Sequence, residues 1–437
     1  MIIDRTKSKY WISILILISI LLGGCVTESV ASPTLQAQPT LTASIEPVLP
    51  TEESDQQVKG LITLKIWIPP EFDPTNGTPA SELLAARLEE FENRKGNVRI
   101  DTRIKTVDGS GGIIDMLTTA NAAARLALPD LVALPQHALN TAAIKGLLYP
   151  FDGLTGTMND SDWFDFALNI SKVQESTFGI PFAGDALILV YRPAILPEQP
   201  KDWASLLELS TQTPSSLSFP ASDPDSLLTL TYYQSLGGSI QDDENRPRLD
   251  SIQLTEVLTF YHNAEQSMLM PFWLTQYETD EQAWIAYEEN QTDMVITWAS
   301  RYLQTLPADS AFAPIPTKDG TLFTLGTGWV WASASPNPEH QDLSAQLAEF
   351  LTDEAFLSAW TAVSGYIPTR SNSLSSWDET NLRFLIGEVA SSIRLVPPLE
   401  ILTTIGPILQ KATIDVLKEE ASPINAVETA INSLETP

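Results

Sequence analysis

The stretch that decides the fold runs from Gly326 to Arg370 and reads GTGWVWASASPNPEHQDLSAQLAEFLTDEAFLSAWTAVSGYIPTR. Its opening alternates, which predicts a β-strand that carries Thr327, Trp329 and Trp331 on one face, because strand side chains repeat every two residues. The remainder predicts two consecutive helices and a rigid exit.

Capping signals place the ends of the two helices. Asn337 is the expected N-cap of the first helix, and Thr352 is the expected N-cap of the second. Gly365 is expected to end the second helix, because glycine readily adopts the left-handed conformation found there. Pro368 then restricts the backbone of the exit, and Tyr366 is expected to pack at a hinge.

The first third of the chain alternates between strand and helix patterns. Helices are expected at residues 81–91 and 115–125, and the strands around them at 61–68, 98–107 and 129–134. Strands that alternate with helices in this order predict a parallel sheet with helices on both faces.

Three segments of the decisive stretch resemble the family 1 extracellular solute-binding proteins of bacterial ABC importers, the maltose-binding-protein-like family. They are Gly328-Trp329, the turn from Ser335 to Glu339, and the segment from Gly365 to Arg370. The segment from Phe178 to Pro193 also resembles the family's crossing into its second domain. The resemblance covers about residues 60–437. It implies an α/β, two-domain periplasmic-binding-protein-like fold of type II, with hinged domains and a ligand cleft between them.

Composition and resemblance together divide the chain into four expected parts. Residues 1–25 are a lipoprotein signal peptide and 26–59 a disordered tether; residues 60–165 plus 321–370 form domain 1, and 166–320 plus 371–437 form domain 2.

The N-terminus has the features of an export signal. Arg5, Lys7 and Lys9 precede an apolar run from Trp11 to Leu22 that is short for a membrane span. The following Gly-Gly-Cys resembles a bacterial lipobox, so Cys25, the single cysteine, is the expected lipidation site. An uncleaved signal anchor is the alternative. We therefore expect an extracytoplasmic protein attached to the cell membrane through lipid only.

Charge narrows the range of partners. Without residues 1–25 the chain has 22 basic and 54 acidic residues, a net charge of −32, which argues against nucleic acid and anionic lipid. The segment 26–59 is rich in Thr, Ser, Pro and Glu and lacks aromatic residues. As a flexible coil it would reach on the order of 30 Å from the membrane.

Sugar binding needs aromatic faces for the pyranose ring and planar polar groups for its hydroxyls. Trp67 ends the first predicted strand, where α/β sheets open onto a ligand crevice, and Glu71 follows it in the first loop. The resemblance adds further residues, among them an acidic position that touches sugar in the family and matches Asp185. The full set of candidate ligand-binding residues is Trp67, Glu71, Asp185, Asp223, Trp298, Trp329, Trp331 and Arg370.

The predicted function is capture of a small mono- or oligosaccharide and its delivery to an ABC permease. A receptor for a cationic solute such as a polyamine is the first alternative, and a lipoprotein enzyme that acts on polysaccharide is the second. The three histidines are isolated and no nucleophile motif occurs, so we expect no catalytic residue, no metal and no cofactor. A monomer is expected.

Overall fold

The computed structural model describes residues 60–212 and 215–435, which belong to one compact unit. The predicted signal peptide, Cys25 and the predicted tether lie outside the described residues. Within the described ranges, no helix combines the length and the apolar character needed to cross a membrane.

Eleven strands and fifteen helices make up the described part of the chain. The strands are β1 (Ile62–Ile68), β2 (Val98–Ile104), β3 (Leu131–Pro135), β4 (Lys172–Val173), β5 (Ser176–Thr177), β6 (Gly179–Tyr191), β7 (Leu217–Ser218), β8 (Met294–Trp298), β9 (Ala311–Ala313), β10 (Thr324–Ser333) and β11 (Ile393–Leu395). The helices are α1 (Pro79–Lys95), α2 (Ile113–Ala123), α3 (Gln136–Ile144), α4 (Asp165–Ile170), α5 (Trp203–Gln212), α6 (Leu227–Ser235), α7 (Ser251–Gln266), α8 (Asp280–Glu288), α9 (Ala299–Thr305), α10 (Pro338–Leu351), α11 (Glu354–Ser364), α12 (Ser371–Ser375), α13 (Thr380–Ser392), α14 (Leu399–Leu417) and α15 (Pro423–Glu435).

One mixed sheet organises these elements, in the order β2-β1-β3-β10-β6-β8-β7. β1 pairs in parallel with both β2 and β3, which confirms the parallel arrangement predicted from the alternating strands and helices. β10 enters antiparallel between β3 and β6, and β11 and β9 add short pairings to β10 and β6.

Strand β6 joins the two halves of this sheet. Its residues Gly179 to Ala186 pair with β10, whereas Leu187 to Tyr191 pair with β8. We call the strands from β2 through the first part of β6 the first half of the sheet, and the second part of β6 with β7, β8 and β9 the second half. The chain therefore passes between the halves without leaving β-structure.

The first half of the sheet has helices on both faces, because alternate residues of its strands are apolar on both sides. Leu131 and Ala133 face a core that includes α1, α10 and α11, whereas Val132 and Leu134 face a core that includes α2 and α3. Trp331 lies in the first of these cores. This confirms the predicted alternation of β10, with Trp329 packed against the same core.

The two helices predicted in the stretch from Gly326 to Arg370 are present as α10 and α11, but the N-cap of the second helix differs from the prediction. The side chain of Asn337 accepts a hydrogen bond from the backbone N–H of Glu339, and Gly365 ends α11 with φ of 78°. The prediction that Thr352 caps the second helix was wrong: Asp353 is the N-cap and accepts from the N–H of Phe356. The Thr352 hydroxyl instead donates back to the carbonyl of Ala348 and helps to close α10.

Candidate ligand-binding site

A cavity of about 790 Å³ lies between the two halves of the sheet, within the size range of small-molecule sites. The first half contributes the turn after β1, the start of α1 and the end of α11, and the second half contributes α8 and α9. Its charged and aromatic lining residues are Glu71, Phe72, Asp73, Asp185, Asp280, Trp284, Trp298, Arg301, Trp360 and Tyr366.

The turn after β1 exposes one carboxylate to this cavity. Pro69 and Pro70 end the strand and start a short 3-10 turn, in which Phe72 is buried. Phe72 packs edge-on against Trp329, with ring centroids 4.9 Å apart. Anchoring Phe72 leaves its neighbour Glu71 exposed at the cavity wall.

Asp185 is the most buried carboxylate of the site, with 8% of the residue exposed. It lies next to the point where β6 changes partners, and it accepts hydrogen bonds from the Ser300 N–H at 3.0 Å and hydroxyl at 2.5 Å. The N–H of Ala186 donates a third bond. Burial raises the pKa of Asp185 to about 7, although the bonds from Ser300 act in the opposite direction.

Asp280 and Arg301 on the opposite wall are positioned by the first turns of α8 and α9. Thr279 and Gln282 form a capping box that fixes the start of α8, so Asp280 stands in its first turn. The Nε–H of Arg301 in α9 donates to Asp280 at 2.6 Å, and the same guanidinium pairs with Glu281. Arg301, the single cation that the described residues contribute to the cavity wall, is therefore already engaged by protein carboxylates.

Aromatic rings supply the apolar part of the wall. Trp298, the N-cap of α9, is half-buried and lines the cavity from the second half of the sheet. Tyr366 and Trp360 stand nearly parallel on the other side, with 1° between their planes and 6.2 Å between centroids. Burial raises the pKa of Tyr366, with further contributions from the charges of Asp185 and Glu71.

The structure brings together three of the predicted site residues, Glu71, Asp185 and Trp298, around one cavity. Trp329 and Trp331 lie behind the wall: Trp329 packs on Phe72, and Trp331 stacks on Phe182 at 4.7 Å between centroids. They support the aromatic wall without being part of the cavity lining.

Three predicted residues lie elsewhere. Trp67 is 2% exposed and faces the core of α2 and α3, because strand alternation puts it opposite its neighbours Ile66 and Ile68. Asp223 accepts hydrogen bonds from the N–H groups of Asp225 and Leu227, so it stabilises the turn that leads into α6.

The third of these residues is Arg370, which forms a bidentate ion pair with Asp162 and bonds Asp160 at 2.7 Å. Its guanidinium also lies 4.6 Å from the ring centroid of Trp163. Arg370 therefore fastens the exit after Tyr366 to the segment before α4.

Sequence reasoning missed the contributions of Asp280, Ser300, Arg301 and Tyr366 to the cavity. The capping-box pattern from Thr279 to Gln282 does signal a helix start, but nothing local indicates which elements that start faces. Within residues 60–212 and 215–435, no group of three or more His, Cys, Asp and Glu side chains is arranged to hold a metal ion.

Another cavity, of about 720 Å³, lies against β9 and α13. Its lining includes Tyr191, Lys201, Glu379 and Phe384 but none of the predicted site residues. The cavity between the halves combines a deeply buried carboxylate with tryptophan and tyrosine rings, and we therefore assign the candidate site there.

The buried carboxylate predicts a specific pH dependence of stability. The pKa of Asp185 is higher in the folded protein than its ordinary value of 3.8, so folding favours the protonated form. Relative to Asp185→Asn, the wild type should gain free energy of unfolding as pH falls from about 8 to about 5, by at most about 1.4 kcal/mol per pH unit. Urea titrations of both proteins across this range measure the difference, and a constant difference would contradict the assignment.

The chain was compared with curated proteins and with solved structures. No curated protein matches the chain. The cyclic α-maltosyl-1,6-maltose binding protein from Arthrobacter globiformis is 16% identical with a TM-score of 0.71, covering 86% of this chain and 98% of that one. The sugar-binding protein MalE from Xanthomonas citri is 19% identical with a TM-score of 0.70, covering 85% and 96%. A tagatose-bound ABC transporter solute-binding protein from Thermotoga lettingae is 20% identical with a TM-score of 0.63, covering 85% and 98%.

These likenesses show a fold shared with two-domain periplasmic binding proteins, as the sequence predicted. A family model described as bacterial extracellular solute-binding protein matches residues 86–381. Since this match spans more than half of the 437 residues, the chain belongs to the family of bacterial extracellular solute-binding proteins.

Proposed function

We propose that this solute-binding protein captures a small carbohydrate outside the cytoplasm and delivers it to an ABC permease. The observation that carries the proposal is the cavity that sets carboxylates opposite aromatic rings. Carboxylates accept hydrogen bonds from sugar hydroxyls, and indole or phenol rings pack on the apolar faces of a pyranose. A neutral sugar needs both kinds of contact.

The neighbours in structure support this ligand class. The proteins named above from Arthrobacter globiformis and Thermotoga lettingae are described with a cyclic maltosyl-maltose and with tagatose as their ligands. A site bounded by different elements of the two halves also suits a mechanism in which ligand shifts the population from open to closed. For that mechanism we retain residues 60–165 with 321–370, and 166–320 with 371–437, as the proposed moving domains, and a monomer as the working unit.

The proposal is tested by melting the purified protein with a panel of mono- and oligosaccharides, followed by calorimetric titration of each sugar that raises the melting temperature. A specific ligand at one hundred times its Kd should stabilise the folded state by about 2.7 kcal/mol. If no sugar in a broad panel raises the melting temperature, the carbohydrate proposal fails. Incubation with polysaccharides and analysis of the products tests the alternative of an enzyme.

A cationic solute is the second candidate, favoured by four carboxylates and a single guanidinium among the lining residues. Two acids that suggested it from the sequence, Asp223 and Asp225, do not line this cavity. Spermidine in the same melting assay separates this candidate from a sugar.

Trp298→Ala is expected to weaken sugar binding by about tenfold, because stacking on an aromatic face contributes about 0.5–1.5 kcal/mol beyond simple burial. Trp273→Ala is the matched control: Trp273 is also half-buried and packs against the core of the second half of the sheet, but it does not line the cavity. Calorimetric titration of both variants measures the effect. Equal affinities for Trp298→Ala and the wild type would remove this ring from the site.

Lipid attachment through Cys25 remains part of the proposal. Cys25→Ser should leave the protein soluble after cell fractionation or block removal of the signal peptide, because the serine hydroxyl cannot form the thioether of a lipoprotein. Mass spectrometry of the wild-type N-terminus provides the direct check. An unmodified Cys25 in membrane-bound wild-type protein would exclude the anchor.

A further inference from the structure

The charges that line the candidate cavity do not balance. Among the lining residues that the structure describes, four carboxyl groups, those of Glu71, Asp73, Asp185 and Asp280, share the cavity with one guanidinium, that of Arg301. Arg301 is already paired with Asp280 and with Glu281 outside the lining. The excess negative charge is therefore left on the side of the cavity formed by the turn after β1 and by β6.

Two of these carboxylates lie next to residues that contact Tyr366 or its neighbour. The ring of Phe72, which follows Glu71, has its centroid 5.4 Å from that of Tyr366, and Ile367, which follows Tyr366, pairs with Gly184, which precedes Asp185. Glu71, Asp185 and Tyr366 all line the cavity. Asp185 accepts hydrogen bonds from Ser300 and Ala186, but no cation among the described residues pairs with it. The Glu71 side chain is exposed and makes neither a hydrogen bond nor an ion pair within the part of the chain that the structure describes.

A polar group in the same region also has no partner. Ser364 is 8% exposed and lines the cavity beside Tyr366, and its buried hydroxyl makes no hydrogen bond to the described residues. Leaving a buried hydroxyl unpaired costs free energy, so the arrangement favours a ligand that supplies a polar partner here. The observation is independent of the carboxylates and points to the same end of the cavity.

We propose that the ligand is an amino sugar, or a short oligosaccharide of amino sugars, whose ammonium group binds between Glu71 and Asp185 near Tyr366. This inference rests on the proposed carbohydrate function and specifies its substrate class. An ammonium has three donors, enough for both carboxylates and the Ser364 hydroxyl. The rest of the ring packs on the aromatic wall as a neutral sugar would.

The physical reason is the cost of burying charge. A neutral sugar that fills the cavity displaces water from the exposed Glu71 and supplies no opposite charge to Glu71 or to the ionised form of Asp185, which is unfavourable in a site of low dielectric constant. A protonated amine displaces the same water and forms charge-assisted hydrogen bonds to both groups. The site should therefore distinguish two sugars that differ only in an amine and a hydroxyl.

The test uses such matched pairs with the full-length protein in a mild detergent at neutral pH and low salt. Glucosamine is compared with glucose, and the disaccharide of β-1,4-linked glucosamine is compared with cellobiose and with its N-acetylated form. We expect at least tenfold tighter binding of one amino sugar than of its hydroxyl and acetamide counterparts by calorimetric titration. The preference should weaken as salt is added, since salt screens charge.

Glu71→Gln should reduce the preference for the amine severalfold, whereas the control Glu428→Gln, an exposed position on α15 that does not line the cavity, should leave it intact. Equal affinity for amino and neutral sugars overturns this inference and leaves the carbohydrate function standing. Binding of spermidine but of no sugar overturns both. Binding of neither class also overturns both, because the folded protein would then lack the proposed ligand altogether.

Discussion

Replacing Asp185 with alanine is expected to weaken ligand binding by about 10- to 100-fold, the largest effect on affinity of any single change in the site. Asp185 is the most buried carboxylate of the cavity, and Ser300 holds it in a fixed direction through two hydrogen bonds. Losing a buried, charge-assisted hydrogen bond costs about 1.5–3 kcal/mol, and each 1.4 kcal/mol corresponds to a factor of ten in Kd.

Two variants separate binding from stability in this experiment. Asp185→Asn keeps the size of the side chain and one acceptor for Ser300, so it should retain the fold and lose the charge. Asp223→Ala is the control, because Asp223 is a half-buried carboxylate that accepts hydrogen bonds from two backbone N–H groups, yet it does not line the cavity. It should reduce stability and leave affinity unchanged. A folded Asp185→Ala with wild-type affinity would show that the ligand binds elsewhere.

The largest expected effect on stability comes from Trp331→Ala, at about 3–5 kcal/mol of unfolding free energy. Trp331 is 2% exposed in the centre of the first half of the sheet and stacks on Phe182. Phe182 in turn packs against Phe72 and Trp360, so the deletion opens a void beneath the cavity wall. Urea unfolding of the wild type and the variant gives the value.

A conservative variant makes this prediction specific. Trp331→Phe preserves an aromatic face against Phe182 and should cost clearly less than alanine. If Trp331→Ala left the unfolding midpoint unchanged but abolished ligand binding, the side chain would be a ligand contact, as the sequence suggested. The structure leads us to expect the opposite pattern, because Trp331 does not line the cavity.

Most of the fold followed from local patterns in the sequence. Alternation located β10, and the capping preference of Asn337 located the start of α10, because both depend only on neighbouring residues. The choice between Thr352 and Asp353 as a cap was wrong because both residues have the required chemistry and stand side by side. Their roles depend on where α10 ends, which tertiary packing decides.

The site was predicted only in part, for a physical reason. Glu71 and Asp185 could be placed because each follows from the direction of one strand or one recognisable segment. The position of Arg370 could not be predicted, since its partners Asp160 and Asp162 are about two hundred positions away in sequence and match no local signal. Trp67 was assigned to the crevice from its position along β1, whereas the face on which it stands directs it into a core.

The continuity of β6 limits how this molecule could be divided. A cut between Ala186 and Leu187 would leave the partner of β10 on one fragment and the partner of β8 on the other, so each half of the sheet would contain a severed strand. Such fragments should reassemble only by restoring that strand, which makes the junction poorly suited to a split reporter or to new chain termini. A one-residue insertion there would also reverse the facing of every later side chain in the strand. The exposed loop at residues 242–246 offers a more permissive place for an engineered insertion.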